Sequence, residues 1–178
     1  MERVLKVQMG AELKNQGMAR GIAAAYVADL DPTLEELTEI KTAVSEAFSN
    51  AAIHGYPDGG GKVDMEFSMI SRDTLRIRIS DKGVGIGNIA LAMEPMFTTD
   101  TSDERSGMGF TVMESFMDKI KVDSKVGEGT AVTMIKKLDT YDAYDACDEC
   151  DECDECDGCD GCGEEDDSGS GYDGIQEF

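Results

Sequence analysis

The residues from Thr33 to His54 constrain this chain most. Leu37, Ile40, Val44, Ala47, Phe48 and Ala51 are apolar and recur mostly at three- and four-residue intervals, the spacing of one face of an α-helix. Thr33 follows Asp31-Pro32 and stands three residues before Glu36, the pattern of a capping box, so the helix is expected to begin there. On its polar side Glu46, Asn50 and His54 fall at i, i+4 and i+8, which puts them on a shared face. A carboxylate and an amide one turn apart suit two tasks. The Asn50 carbonyl oxygen is the kind of ligand that Mg²⁺, a hard cation, accepts, and Glu46 is close enough to act on a nucleophile nearby. The same residues would also serve as the solvated stripe of an ordinary amphipathic helix. His54, followed by Gly55, has the plainer role of a residue near a helix C-cap.

Three glycine-bearing segments follow. Thr74-Leu-Arg-Ile-Arg-Ile-Ser80 alternates apolar and polar residues strictly, as a half-buried strand does. Asp81 stands where that strand ends. Gly83 and Gly85 beyond it allow a backbone that other residues cannot adopt and a close approach to a ligand. A carboxylate so placed can accept a hydrogen bond from the exocyclic amine of adenine, although a plain Asp-Lys-Gly turn would use the same residues. Gly107-Met-Gly109-Phe110 opens a helix expected from about Gly109 to Met117. Free N–H groups and the helix dipole make its start an anion site. Arg105, two residues upstream, could pair with a terminal phosphate or with a partner's carboxylate. Gly127-Glu-Gly129-Thr130 runs into the strand Ala131–Ile135 and reads first as a hairpin turn. Each segment alone is weak. In this order, within about ninety residues, they describe an ATP site that is not a P-loop.

The remaining pattern supplies a frame. Arg3–Met9 alternates as a first strand, and roughly Asn15–Asp29 forms a first helix with Met18, Ile22, Ala25 and Tyr26 on one side. Lys62–Ile70 and Thr74–Ser80 make a hairpin around Ser71-Arg-Asp73. Residues 87–106 hold a short helix and a lid. Gly109–Met117, Ile120–Ser124 and Thr130–Lys137 complete the domain. Helices segregated from a mostly antiparallel sheet make an α+β two-layer sandwich, with the nucleotide between the layers.

The order of these segments resembles the GHKL (Bergerat-fold) ATPases, which include gyrase B and the histidine kinases. Within them, residues from about 3 to 138 resemble the anti-sigma F factors of spore-forming bacteria, small protein serine kinases. The stretches that carry the resemblance are Leu30–Tyr56, Pro95-Met-Phe-Thr-Thr99 and Glu104–Met117. It implies that Glu46 is the general base, Asn50 the Mg²⁺ ligand and Asp81 the adenine contact. It further implies that Thr98, Thr99 and the turn Gly107–Phe110 form the lid and phosphate loop. The family usually carries a lysine just after the two threonines; here that position is Asp100, so a lid cation is missing or displaced. The implied partners are a sporulation sigma factor, which is sequestered, and an anti-anti-sigma factor, the serine substrate. A homodimer is implied as well. A general-stress switch kinase of the same family is the alternative identity. A repair or topoisomerase ATPase subunit is disfavoured, because no transducer domain follows.

Charge separates the chain into two parts. All 16 Lys and Arg lie within residues 1–138, against 21 of the 38 acidic residues, while residues 139–178 hold 17 acidic residues and no basic one. Broad nucleic-acid binding needs cations on the surface, so direct DNA binding by the whole chain is not expected. There is no signal-peptide pattern and no run of 18 apolar residues, hence the expectation of a cytoplasmic protein with no membrane segment. The domain is therefore read as 1–138 and the tail as 139–178. In the tail Cys147, Cys150, Cys153, Cys156, Cys159 and Cys162 recur every three residues. Overlapping Cys-x-x-Cys pairs are able to bind Zn²⁺, whereas the acidic low-complexity composition favours a disordered segment.

Overall fold

The computed structural model describes residues 3–94 and 108–139. Strand β1 (Val4–Gly10) leads into helix α1 (Gln16–Val27) and helix α2 (Leu34–Asn50). Strands β2 (Lys62–Met69) and β3 (Thr74–Asp81) follow, then a short helix α3 (Ile89–Ala92), helix α4 (Gly109–Phe116), and strands β4 (Lys119–Lys125) and β5 (Gly129–Lys137). The strands form one sheet in the order β1-β2-β3-β5-β4, every pair antiparallel. The expected α+β two-layer architecture is present.

The alternation along β3 does what it implies. Leu75, Ile77 and Ile79 are buried against the helices, while Arg76 and Arg78 lie on the other face. From α2, Ile40, Val44 and Phe48 are fully buried and join Phe67, Ile77 and Met134 of the sheet in one core. Burying each such side chain contributes about 1.5–3 kcal/mol. The uncovered face of the sheet is polar, with Lys6 3.0 Å from Glu66 and Gln8 2.7 Å from Asp64.

The start of α2 is the expected capping box. The Glu36 N–H donates to Thr33 Oγ1 at 3.1 Å, and the Thr33 N–H donates to Glu36 Oε2 at 2.8 Å. Burial would raise the Glu36 carboxyl, but the N–H groups of Asp139 and Thr33 and the Thr33 hydroxyl outweigh it, and the group is held below the ordinary glutamate value. The other end differs from expectation. Regular helix stops at Asn50, and Ala51–Gly55 form one wider π-helical turn. That turn carries Gly55 against Asp81, where a Cβ would stand 2.9 Å from Oδ1. It also leaves the Gly55 carbonyl to accept from the Val84 N–H at 2.9 Å. Similarly α1 is shorter than expected, because it tightens into 3-10 turns at Leu13–Asn15 and Ala28–Leu30. Asp31, left-handed at φ 49°, then turns the chain toward α2.

Candidate functional site

A cleft of about 1050 Å³ opens between the C-terminal end of α2, the end of β3 and the start of α4. Glu46, Asn50, Asp81, Gly85 and Gly109 all line it, with Thr130 from β5. The long helix, the strand end and the glycine turn thus meet at one place although they are distant in sequence.

Asp81 lines the cleft where β3 ends and is 7% exposed. Its Oδ1 accepts the Gly83 N–H at 2.8 Å. Burial raises its carboxyl above the ordinary aspartate value, and the N–H groups of Gly83 and Thr130 oppose that only in part. The backbone around it tolerates no side chain. A Cβ on Gly83 would stand 2.0 Å from the Gly55 carbonyl oxygen, and one on Gly129 (φ +97°) 2.1 Å from that of Asp81. Gly85 (φ +72°) faces the Lys125 carbonyl in the same way, at 2.2 Å. These glycines permit the close packing of backbone that holds the Asp81 carboxylate at the cleft wall.

At the other end, Glu46 and Asn50 stand against the first residue of α4. A Cβ on Gly109 would lie 3.1 Å from Asn50 Nδ2 and 3.2 Å from Glu46 Oε2. Burial raises the Glu46 carboxyl above the ordinary glutamate value, which makes it a better proton acceptor than an exposed glutamate. The start of α4, where a helix carries N–H groups with no partner inside the helix, thus lies beside the Asn50 amide. His54 lies in the π-helical turn, exposed, and also borders the cleft. Thr98, Thr99, Arg105 and Gly107 lie outside the described residues, as do Asp100 and the six cysteines.

Residues 9–136 match the family model of the histidine kinase-like ATPase domain. The anti-sigma F factor of Clostridium perfringens is 47% identical over 140 residues, covering 79% of this chain and all of that protein. The anti-sigma F factor of Anoxybacillus flavithermus is 50% identical over 138 residues, covering 78% of this chain and 94% of that one. The chain belongs to the anti-sigma F factor family of histidine kinase-like ATPases. Its fold also matches the crystal structure of the RsbU and RsbW domains of a Mycobacterium tuberculosis protein, at a TM-score of 0.55 and 16% identity, over 76% of this chain and 32% of that one.

The family implies an adenine nucleotide, and the cleft fits one. It has the volume of a small-molecule site, a buried carboxylate acceptor at one end and helix N–H donors at the other. The residues also fit a Mg²⁺ ion in one particular way. Among the described residues no three His, Cys, Asp or Glu side chains are grouped to hold a metal. A cation would therefore take the Asn50 oxygen together with oxygens of the nucleotide and water, the usual habit of Mg²⁺. No helix among the described residues is long and apolar enough to cross a membrane.

Sequence reasoning undervalued the fourth glycine segment. The hairpin reading is correct, since Gly127 and Gly129 join β4 to β5. Yet the same hairpin brings Thr130 onto the cleft wall beside Asp81. Its signal is the polar Thr130 two residues before Val132, on the strand face that Val132 and Met134 bury. Gly55, beyond the helix-stop role its position suggests, packs directly on the Asp81 carboxylate.

Proposed function

We propose that the chain is a cytoplasmic anti-sigma factor that holds a sporulation sigma factor and, as an ATP-dependent protein serine kinase, phosphorylates an anti-anti-sigma partner. The observation that carries this reading is the half-buried Glu46 carboxylate, raised in proton affinity, one helical turn from Asn50 and against the start of α4. Asp81 and the Gly83–Gly85 turn receive the adenine, and the N–H groups at Gly109 receive phosphate oxygens. Asn50 would hold Mg²⁺, which when bound neutralises charge on the phosphates. Glu46 accepts the proton of the substrate serine hydroxyl as its oxygen bonds to the γ-phosphorus and the bond from that phosphorus to the ADP oxygen breaks. Thr98, Thr99, Arg105 and Gly107 complete the phosphate end in this reading, and Arg105 reports the γ-phosphate to the partner. The acting form is a homodimer. The anti-sigma role is supported by the names of the relatives, at 47–50% identity.

The test is transfer of labelled γ-phosphate from ATP to a small partner captured from the native cell. Wild type should label a serine, and Glu46→Gln should bind ATP normally while transfer falls about a hundredfold or more. Capture of a sigma factor with no transfer to any partner would leave a binding protein and remove the kinase.

A further inference from the structure

Helices α2 and α4 meet at two points that are equally spaced on both. At the first, the start of α4 lies against α2: a Cβ on Gly109 would stand 3.2 Å from Glu46 Oε2 and 3.1 Å from Asn50 Nδ2. At the second, the last residue of α4 reaches α2 through a side chain of β5. The Lys136 ammonium donates to the Phe116 carbonyl at 3.1 Å and to Glu39 Oε2 at 2.7 Å. Gly109 and Phe116 are seven residues apart, and so are Glu39 and Glu46. Seven residues of helix rise about 10.5 Å and return to nearly the same face. The two helices therefore run antiparallel, with Glu39 and Glu46 at the two ends of the stripe on which α4 lies.

Met113, midway along α4, and Ala43, between Glu39 and Glu46, are fully buried. Apolar burial is non-directional, so it holds α4 down more than it holds it in register. A hydrogen bond has a narrow range of length and angle. Two such bonds tie the residue after α4 and its cap to β5: the Asp118 N–H donates to the Ile135 carbonyl at 2.9 Å, and the Lys137 N–H donates to Asp118 Oδ2 at 2.6 Å. Lys136 carries that anchorage across to α2. A slip of one residue, about 1.5 Å, would bring Phe110 to a place where a single added carbon on Gly109 is already tight.

We propose that Lys136 is a positioning residue for phosphoryl transfer: by joining the Phe116 carbonyl to Glu39 it fixes the register of α4 along α2, and so sets the start of α4 beside Glu46 and Asn50. It stands at the end of α4 remote from the cleft and does not line it. Asp81 and the 83–87 loop, on the opposite wall, are built on β3 and the β4–β5 hairpin rather than on α4. Their hold on a nucleotide is therefore independent of this pin. The inference rests on the reading of the cleft as a kinase site.

The experiment compares the full chain with the double variant Glu39→Leu, Lys136→Met. Replacing both members of a shielded ion pair by apolar residues leaves stability near wild type, where removing one does not, yet it strips the Phe116 carbonyl of its tie. Denaturant unfolding should stay close to wild type. Amide exchange in α4 should rise about tenfold, the worth of roughly one hydrogen bond, while α2 and β5 keep theirs. Single-turnover transfer from ATP to the captured partner should fall about tenfold or more, since misplacing groups by ~1 Å costs up to about a hundredfold. ADP affinity by calorimetry should stay within about threefold, because the base end is a separate site. Lys136→Arg, which keeps a cation with donors for both oxygens, should restore transfer. Lys136→Gln, too short to reach both oxygens, should show the same split between ADP affinity and transfer and serves if the double variant is unstable. Wild-type exchange and transfer in the double variant would leave Lys136 a merely stabilising residue and overturn the inference, as would faster exchange with transfer unchanged. Wild type that binds ADP but labels no partner overturns the kinase reading instead, and the exchange of α4 then decides the pin by itself.

Discussion

Replacing Gly109 by alanine should separate the chemistry of the cleft from the stability of the fold. Gly109 is the first residue of α4 and does not have a positive φ, so the alanine backbone fits. Lower entropy of the unfolded chain then favours the variant by about 0.4–1 kcal/mol. Against this, the new methyl lies 3.1 Å from Asn50 Nδ2, 3.2 Å from Glu46 Oε2 and 3.3 Å from Asn50 Oδ1. Unstrained contacts of this kind lie at about 3.5–4 Å, so both side chains must retreat by a few tenths of an ångström. The two effects roughly offset, and denaturant unfolding should show a change within about 1 kcal/mol. Transfer should respond far more, because misplacing reacting groups by ~1 Å or less costs up to about a hundredfold. The methyl also removes water from Glu46, whose carboxyl burial already raises. The base must be ionised to work, so activity falls as pH drops through its raised pKa, and that limb should move further up in the variant. Single-turnover transfer across pH, with unfolding on the same preparations, checks each part. Transfer within about threefold of wild type, at wild-type stability, would refute the placement of Glu46 and Asn50 at the reacting centre.

Gly129→Ala should destabilise by about 3 kcal/mol or more, since it joins a strained positive φ to a Cβ 2.1 Å from the Asp81 carbonyl oxygen; thermal unfolding near wild type would contradict that packing. Lys136→Met should cost about 2 kcal/mol, less than the ~3–5 for breaking a fully buried pair, because it strands Glu39, 2.7 Å from Nζ in a pair with side chains 14% and 20% exposed. Burial pulls the Lys136 ammonium down, but Glu39 outweighs it and holds the group above its ordinary 10.5. That stabilisation is present below the ordinary value and fades as pH rises through the folded one, so wild type and variant should converge at high pH in denaturant titrations. Glu36 works in the opposite sense: held low, it stabilises above its unfolded pKa and is lost on acidification, and Glu36→Gln should flatten that acid limb. A chain cut after Asp139 should keep fold and nucleotide binding, whereas a cut after Leu138 should lose about 1 kcal/mol, because the Asp139 N–H donates to Glu36 Oε1 at 2.7 Å; equal stabilities would remove that bond from the boundary.

Local rules carried much of this fold. The Thr33–Glu36 box and the alternation of β3 are consequences of nearest neighbours, and both stand where the residues alone placed them. Glu46 and Asn50 fall on one face because helix geometry demands it. What the sequence withheld depends on contacts distant along the chain. The π-helical turn at Ala51–Gly55 brings Gly55 to Asp81 and Val84, and no periodicity within α2 announces that. Thr130 belongs both to a hairpin and to the cleft, and only the pairing of β5 with β3 makes it a neighbour of Asp81. The Ser124 hydroxyl meets the Ile86 N–H, the Gly129 carbonyl and the Thr130 hydroxyl, three groups that no spacing rule connects.

Along α2, the cleft and the exit of the described chain lie at opposite ends. Glu46 is near one end, and Glu36, which holds the Asp139 N–H, is near the other. Ten residues of helix between them span about 15 Å, more than the ~10 Å over which charge is felt at 0.1 M salt. A fluorophore or reporter domain grafted just beyond Asp139 would thus have a rigid strut as its spacer. Cargo could be attached there with little electrical effect on the cleft, and helix α2 itself would serve as a ruler of fixed length for measuring, by energy transfer, how close a labelled nucleotide comes.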